Sequence, residues 1–186
     1  MQTIFNRNII LENDKALLRP LLPTDMEAFR LIAFDKDLWL FTVSRIGDES
    51  ELQDYMLTAF RDKEIGFRYP FTIIDKATNT IAGSTSYGNI SLHDKRLEIG
   101  WTWLGKAYQG SGLNSACKQL LIDYAFNVLG MERVELKTDA ANMRSRRAIE
   151  KLGATQEGVL RSHMLMHDGR RRDTVYYGIL KDDWPR

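Results

Sequence analysis

Apolar positions along this chain recur with two periods, and the places where one gives way to the other divide it into elements. Ile9–Leu11 and Ala16–Leu18 flank Asn13-Asp14, a turn pair, so residues 9–20 are predicted as a short hairpin. Thr24 and Glu27 have the spacing of a capping box, which predicts a helix running to about Phe34. Leu52, Tyr55, Met56, Ala59 and Phe60 recur at helical spacing and predict a second helix over residues 50–63. The apolar stretches FRYPFTIID and IAGSTSYGNI, joined by KATNT, predict a β-hairpin, and LEIGWTWL (97–104) a further strand. Leu113, Ala116, Cys117, Leu120, Leu121, Tyr124 and Val128 mark one face of a helix that Gly130 stops. RVELKTD (133–139) is a strand, residues 142–152 a short helix ended by Gly153, and residues 155–165 and 172–180 two strands around the Asp168-Gly169 turn.

Short links make the strands within residues 67–104 antiparallel. A helix joins strand 97–104 to strand 133–139, which implies a parallel pair with a right-handed crossover. The expected fold class is α/β of the mixed α+β kind: one central, mostly antiparallel sheet of about seven strands, one parallel pair, and helices on both faces. No repeat, low-complexity tract or Pro/Gly/Ser-rich linker marks a boundary, so residues 1–186 are expected to form one domain.

Composition narrows the function classes. The chain is 44% hydrophobic and 27% charged, a globular balance, and its formal net charge of +1 offers no basic field for nucleic acid. The lone Cys117 allows no internal disulfide and suggests a reducing, cytoplasmic setting. No stretch has the length of a membrane span, and no leader is expected at the start.

The densest chemical signal is GKAYQGSGLNSACKQLL (105–121), two glycines between a strand and a helix. Unpaired N–H groups and a partial positive charge at a helix N-terminus suit an anion. Gly110 and Gly112 let the backbone turn sharply and come close to it. The Lys-Ser or Lys-Thr of an NTP-binding P-loop is absent. A dinucleotide fingerprint fits poorly, because position 115 is serine and five residues separate the strand from Gly110. A plain strand–helix connection without a ligand stays open on these residues alone.

In the segment Gln109-Gly110-Ser111-Gly112-Leu113-Asn114 the chain resembles the GNAT superfamily of N-acetyltransferases, whose cofactor loop reads Gln/Arg-x-x-Gly-x-Gly/Ala. LRPL, EIGWTWL, YQGSGLN, LKTDAANMRSRRAIEKLGA and EGVLR…DGRRRDTVYYGIL run in the order of the Rim-type branch, which includes acetyltransferases of ribosomal-protein N-termini. Asn114 departs from the small residue usual at the loop's last position, and residues 25–65 carry no signature. The resemblance implies acetyl-CoA as cosubstrate and no metal. It implies that Gln109–Asn114 hold the diphosphate, and that the parallel strands splay so that backbone near Trp103 and Leu104 binds the pantetheine arm. It implies cofactor-binding roles for Asn142 and Ser145, an Asn-x-x-Ser motif opening the last helix; no tyrosine follows in residues 146–154, and in this branch the serine also protonates the departing thiolate.

The chemistry requires a deprotonated amine, donors for the oxyanion, and a proton for the thiolate. Ser145 is the expected acid, and a strand N–H within 97–104 the oxyanion donor. Glu98 is the expected base, one residue off the apolar set Leu97, Ile99, Trp101 and Trp103. Each has a plainer explanation: Asn142 and Ser145 as cap and first-turn packing, Glu98 as a strand carboxylate in an ion pair. His93 and Glu157 are weaker choices of base. Cys117 is expected in the core, Arg144, Arg146, Arg147 and Arg170–Arg172 on solvated faces, with Arg146 or Arg147 within reach of a CoA phosphate. Trp39, Phe41 and Tyr55 belong to the core or to the acceptor roof.

The expected activity is acetyl transfer from acetyl-CoA to a primary amine, either a protein N-terminus or a small molecule, by direct attack in a ternary complex. The alternative is a non-catalytic acyl-CoA sensor or interaction module. Neither nucleic acid nor membrane is an expected partner, and the last two strands offer an edge for a homodimer.

Overall fold

The computed structural model describes residues 4–184. Eight strands form one sheet: β1 (Leu11–Glu12), β2 (Ala16–Pro20), β3 (Arg68–Asp75), β4 (Thr80–Ser91), β5 (Arg96–Leu104), β6 (Arg133–Asp139), β7 (Thr155–Leu165) and β8 (Arg171–Leu180). Their spatial order is β1-β2-β3-β4-β5-β6-β8-β7, and only β5 and β6 pair in parallel. The helices are α1 (Met26–Arg30), α2 (Glu49–Glu64), α3 (Leu113–Asn127) and α4 (Met143–Glu150). This is the expected mixed class, with eight strands in place of about seven because the first hairpin supplies two.

The sheet separates two cores. On one face Leu97, Ile99, Val134 and Leu136 pack with Leu121 and Ile122 of α3 and Ile149 of α4. On the other, Phe29 of α1 and Leu52, Met56 and Ala59 of α2 surround Trp39 and Trp103. Burying each large side chain contributes about 1.5–3 kcal/mol, so both layers are held mainly by apolar contact. α2 has the predicted span and face, with Asp48 accepting from the N–H of Glu51 (2.9 Å) as its cap.

The predicted helix at 24–34 is shorter and starts differently. No box forms between Thr24 and Glu27; Asp25 takes the N–H of Leu22 (2.9 Å), the Arg19 guanidinium (2.5 Å) and the Thr72 hydroxyl (2.5 Å). A buried carboxylate needs a cation and donors, and the side-chain partners Arg19 and Thr72 come from the sheet. α1 ends at Arg30, where Leu31 and Ile32 close with tighter i−3 bonds. α3 is buried over a wider and rotated arc. Lys118, Ile122, Ala125 and Phe126 lie inside, whereas Val128 is exposed.

A bulge in β5 overturns the expectation of one apolar face. Ser84 pairs with Trp103 and Ser86 with Gly100, so Trp101 and Thr102 together oppose Thr85. Trp101 takes a left-handed φ of 49°. Beyond this point the faces exchange: Leu97 and Ile99 lie against α3, but Trp103 lies against α1 and α2. Trp101, too, sits on the α1/α2 side, stacked on Arg68.

Candidate functional site

The β5–β6 ladder is short. It pairs Arg96 with Arg133, Leu97 with Val134 and Glu98 with Glu135, and then stops, although β5 continues to Leu104 and β6 to Asp139. β6 stays paired with β8 along its whole length, so the strands part as a V whose apex is Glu98. Unpaired backbone inside a sheet is costly unless another partner satisfies it, so the gap is a place for a ligand's amides.

The glycine loop lies at the open end of the V. Gly110 and Gly112 have φ of 78° and 87°, and a Cβ on Gly110 would meet only open space. These left-handed positions turn the chain so that Gly112 caps α3, and the first helical main-chain bond runs from Ala116 N–H back to Gly112. The N–H groups ahead of it have no intrahelical acceptor. Ser111 Oγ donates to the Tyr108 carbonyl (2.8 Å), and the Leu113 N–H reaches that hydroxyl at 3.3 Å. Gln109 acts as a brace: its amide donates to the Leu104 carbonyl (3.0 Å) and accepts from Arg144 of α4 (2.5 Å). Arg144, exposed as expected, therefore ties the loop to α4. Asn114 Oδ1 is buried without a partner, an orphaned acceptor beside the loop.

α4 enters from the same face as α3. Asn142 caps it, its Oδ1 accepting from the N–H of Ser145 (3.0 Å). Ser145 is half-buried, and its hydroxyl makes no hydrogen bond with the described residues. Of the two arginines placed within reach of a phosphate, Arg146 is engaged elsewhere, with Tyr177 (3.2 Å) and Gln156 (3.1 Å).

Glu98 faces the opposite way, to the α1/α2 side. It is buried, accepting from Asn89 (2.6 Å) and pairing with Lys137 of β6 (2.9 Å). Ser145 and Glu98 thus lie on opposite faces of the sheet with the gap between them. His93 is almost fully exposed in the β4–β5 turn, at the far end of β5 from the loop. Glu157 is ion-paired with Arg133.

Three residues depart from their expected settings or were not anticipated. Lys118, within the apolar arc of α3, places Nζ 2.6 Å from Thr102 Oγ1, and burial pushes it down to about 8. Its i−4 and i−7 relation to Ile122 and Ala125 was the available signal. Arg172, expected on a solvated face, is buried and donates to the Phe41 carbonyl (3.2 Å), burial holding its pKa below the usual guanidinium range. Its neighbour Arg170 pairs with Asp139 (2.8 Å). The third, Arg68, is buried on the same face as Glu98, and nothing in the FRYP stretch marks it. Cys117 is in the core as expected, and burial raises its thiol to about 12. Trp39 and Tyr55 both pack around Trp103, whose indole donates to the Tyr55 hydroxyl (3.2 Å).

A cleft of about 510 Å³ between the outer side of α3 and Trp184 touches no residue of the loop or the V. The site is defined by its chemistry, not by the volume of an empty space. No helix among the described residues is long and apolar enough to cross a membrane.

Known proteins resemble the chain in sequence and in fold. Residues 15–155 match the sequence profile of the family described as "Acetyltransferase (GNAT) domain". The Bacillus subtilis (strain 168) protein named "Putative ribosomal N-acetyltransferase YdaF" is 33% identical over 105 residues, 56% of each chain, so the match spans little more than half of that relative. The crystal structure of a GCN5-related N-acetyltransferase from Brucella melitensis is 26% identical with a TM-score of 0.89, over 96% of this chain and 81% of that one. Mycobacterium smegmatis RimJ, solved in complex with CoA-disulfide, shares the fold with a TM-score of 0.80 at 20% identity, over 96% of this chain and 89% of that one.

Proposed function

The chain belongs to the GNAT acetyltransferase family, and on that premise we propose that it transfers the acetyl group of acetyl-CoA to a primary amine in a ternary complex, the amine being a protein N-terminus. The observation that carries this reading is the β5–β6 ladder ending at Glu98 and Glu135. A gap there, with a glycine-built anion site at its mouth, suits a phosphorylated carrier with an amide-bearing arm. The neighbour solved with CoA-disulfide supports the choice of carrier, and the relative named for ribosomal acetylation supports the choice of acceptor.

In this proposal each residue has a separate task. The N–H groups of Gly110–Asn114 take the diphosphate, and Gln109 keeps the loop braced against α4. Asn114 Oδ1, buried and unpartnered, accepts from a pantetheine N–H or hydroxyl. Trp103 and Leu104 offer main chain to the arm, although the Leu104 carbonyl already accepts from Gln109. An unpaired β5 N–H near the apex stabilises the oxyanion. The amine nitrogen forms a bond to the thioester carbonyl carbon and gives its proton to Glu98, directly or through water. The carbon–sulfur bond then breaks, and Ser145 protonates the thiolate. Asn142 fixes Ser145 by capping its helix turn.

The test is thiol release from acetyl-CoA across a panel of peptide amides and small amines, with calorimetry of acetyl-CoA binding alongside. Release that depends on a peptide N-terminus is expected. Tight binding with no release on any amine would leave only a sensor or interaction module.

A further inference from the structure

The buried polar atoms without a partner, among the described residues, are gathered in two places. Asn114 Oδ1 belongs to the cofactor loop; Arg68 Nε, Arg68 Nη2 and Ser86 Oγ all lie on the α1/α2 face of the central strands. A guanidinium with two unsatisfied donors is expensive to bury, and such donors call for an oxygen. Arg68 is 2% exposed and held between two rings, 5.6 Å from the centre of Tyr55 and 5.3 Å from that of Trp101. It lines an open cavity of about 300 Å³ under α2.

The cavity touches the reaction centre through Trp101. Arg68, Gly88 and Glu98 stand in one row across β3, β4 and β5. The Trp101 ring lies on Gly88, where an added Cβ would come within 2.3 Å of it. Adjacent strands are about 4.8 Å apart, so Arg68 and Glu98 start about 10 Å from each other, with Trp101 between. Two extended peptide residues span about 7 Å. The side chains cover the remainder.

The charges around the cavity select among oxygens. Two guanidinium groups, Arg45 and Arg68, face three carboxylates, Glu51, Asp54 and Asp62. Arg45 pairs with Glu51 (3.3 Å), Arg68 Nε stands 3.5 Å from Asp62, and Asp54 is left over. A net negative lining repels a free carboxylate and favours an ammonium. A neutral carbonyl oxygen satisfies Arg68 without that repulsion.

We propose that Arg68 recognises the acceptor by donating from Nε and Nη2 to a main-chain carbonyl of the first or second residue of a peptide, laid across Trp101 with its amine toward Glu98. The assignment rests on the acetyl transfer proposed above and makes the substrate class specific: peptide N-termini in preference to free amino acids or simple alkylamines. Arg68 is then a binding residue that no part of the cofactor machinery requires.

The experiment compares wild type, Arg68→Met and Arg68→Lys on three acceptors at saturating acetyl-CoA: tripeptide amides, the matching free amino acids, and propylamine. Calorimetry measures tripeptide-amide binding to each CoA-loaded protein without turnover. Both variants should raise KM for the tripeptide amides tenfold or more and weaken their binding equally. Affinity for acetyl-CoA should not change, and KM for propylamine should rise far less than KM for the tripeptide amides. Arg68→Lys keeps the charge beside Asp62 and so preserves the fold, but it lacks the planar fork and should not restore binding. Equal losses on all three acceptors, unchanged peptide binding in the variants, or a wild type preferring free amino acids would each overturn the assignment. A wild type that binds tripeptide amides through Arg68 yet transfers to none would remove the catalytic reading and leave the recognition site standing.

Discussion

The two faces of the sheet, each proposed above to meet a different ligand, are built from different materials. On the α3/α4 face the site is mostly main chain: the open edges of β5 and β6, the left-handed glycines, and the N-terminus of α3. Its parts lie within residues 96–145, in sequence order. On the α1/α2 face the site is mostly side chains: Tyr55, Arg68, Asn89, Glu98, Trp101 and Lys137, drawn from one helix and four strands. A backbone site tolerates sequence change as long as the turns survive. A side-chain site can be altered one residue at a time, which is how a common carrier can be combined with different acceptors.

That contrast is sharpest at Gly112. A tryptophan there must adopt φ near +87° and fill the approach to the loop's N–H groups. Losing about three charge-assisted bonds of ~1.5 kcal/mol each corresponds to roughly a thousandfold loss of acetyl-CoA affinity. Calorimetry beside circular dichroism separates this from unfolding; a folded Gly112→Trp protein that still binds acetyl-CoA would show that the anion sits elsewhere.

Ser145→Ala comes next. A lost general acid costs about a hundredfold in kcat, and affinity for CoA should hold because the Asn142 cap uses only the backbone N–H of residue 145. Equal kcat in wild type and variant would transfer the proton to solvent. On the other face, Glu98→Gln keeps the neighbours Asn89 and Lys137 but cannot accept the amine's proton. About a tenfold fall in kcat is expected, with acetyl-CoA binding unaffected. If acetyl-CoA binding fell along with kcat, the division of labour between the faces would be wrong.

The last effect falls on stability and leaves the reaction itself untouched. Lys118 titrates near 8 when folded and near its ordinary 10.5 when unfolded. Between those values the unfolded chain holds more protons, so this group's contribution makes the protein more stable as pH rises through the window. Cys117 acts oppositely: its thiol, raised to about 12, contributes stability present below pH 9 and lost between 9 and 12. Replacing Lys118 with Met should therefore stabilise the protein by up to about 3 kcal/mol below pH 8. That advantage should fade toward pH 10.5, as followed by denaturant titration. A constant difference across the range would mean that the lysine's charge is not what costs stability.

Sequence made the order of elements, the parallel pair and the glycine loop legible, because period-2 and helical patterns and left-handed glycines are local properties. α2 and β6 lie where their apolar patterns put them. It did not show the faces of β5, because the bulge at Trp101 depends on how β4 meets it. Nor did it show that Asp25, not Thr24, serves the start of α1, since Asp25's partners Arg19 and Thr72 come from neighbouring strands.

Local backbone preferences and apolar period are carried by neighbouring residues, so the chain alone determined the fold class and the glycine loop. Which buried polar groups find partners depends on segments far apart in the chain, and only folding settles that. Arg68 and Asp62 are six residues apart, but the Trp101 that covers Arg68 is thirty-three residues further on, reached through a hairpin and a bulge. The proposed acceptor face was therefore decided by tertiary structure.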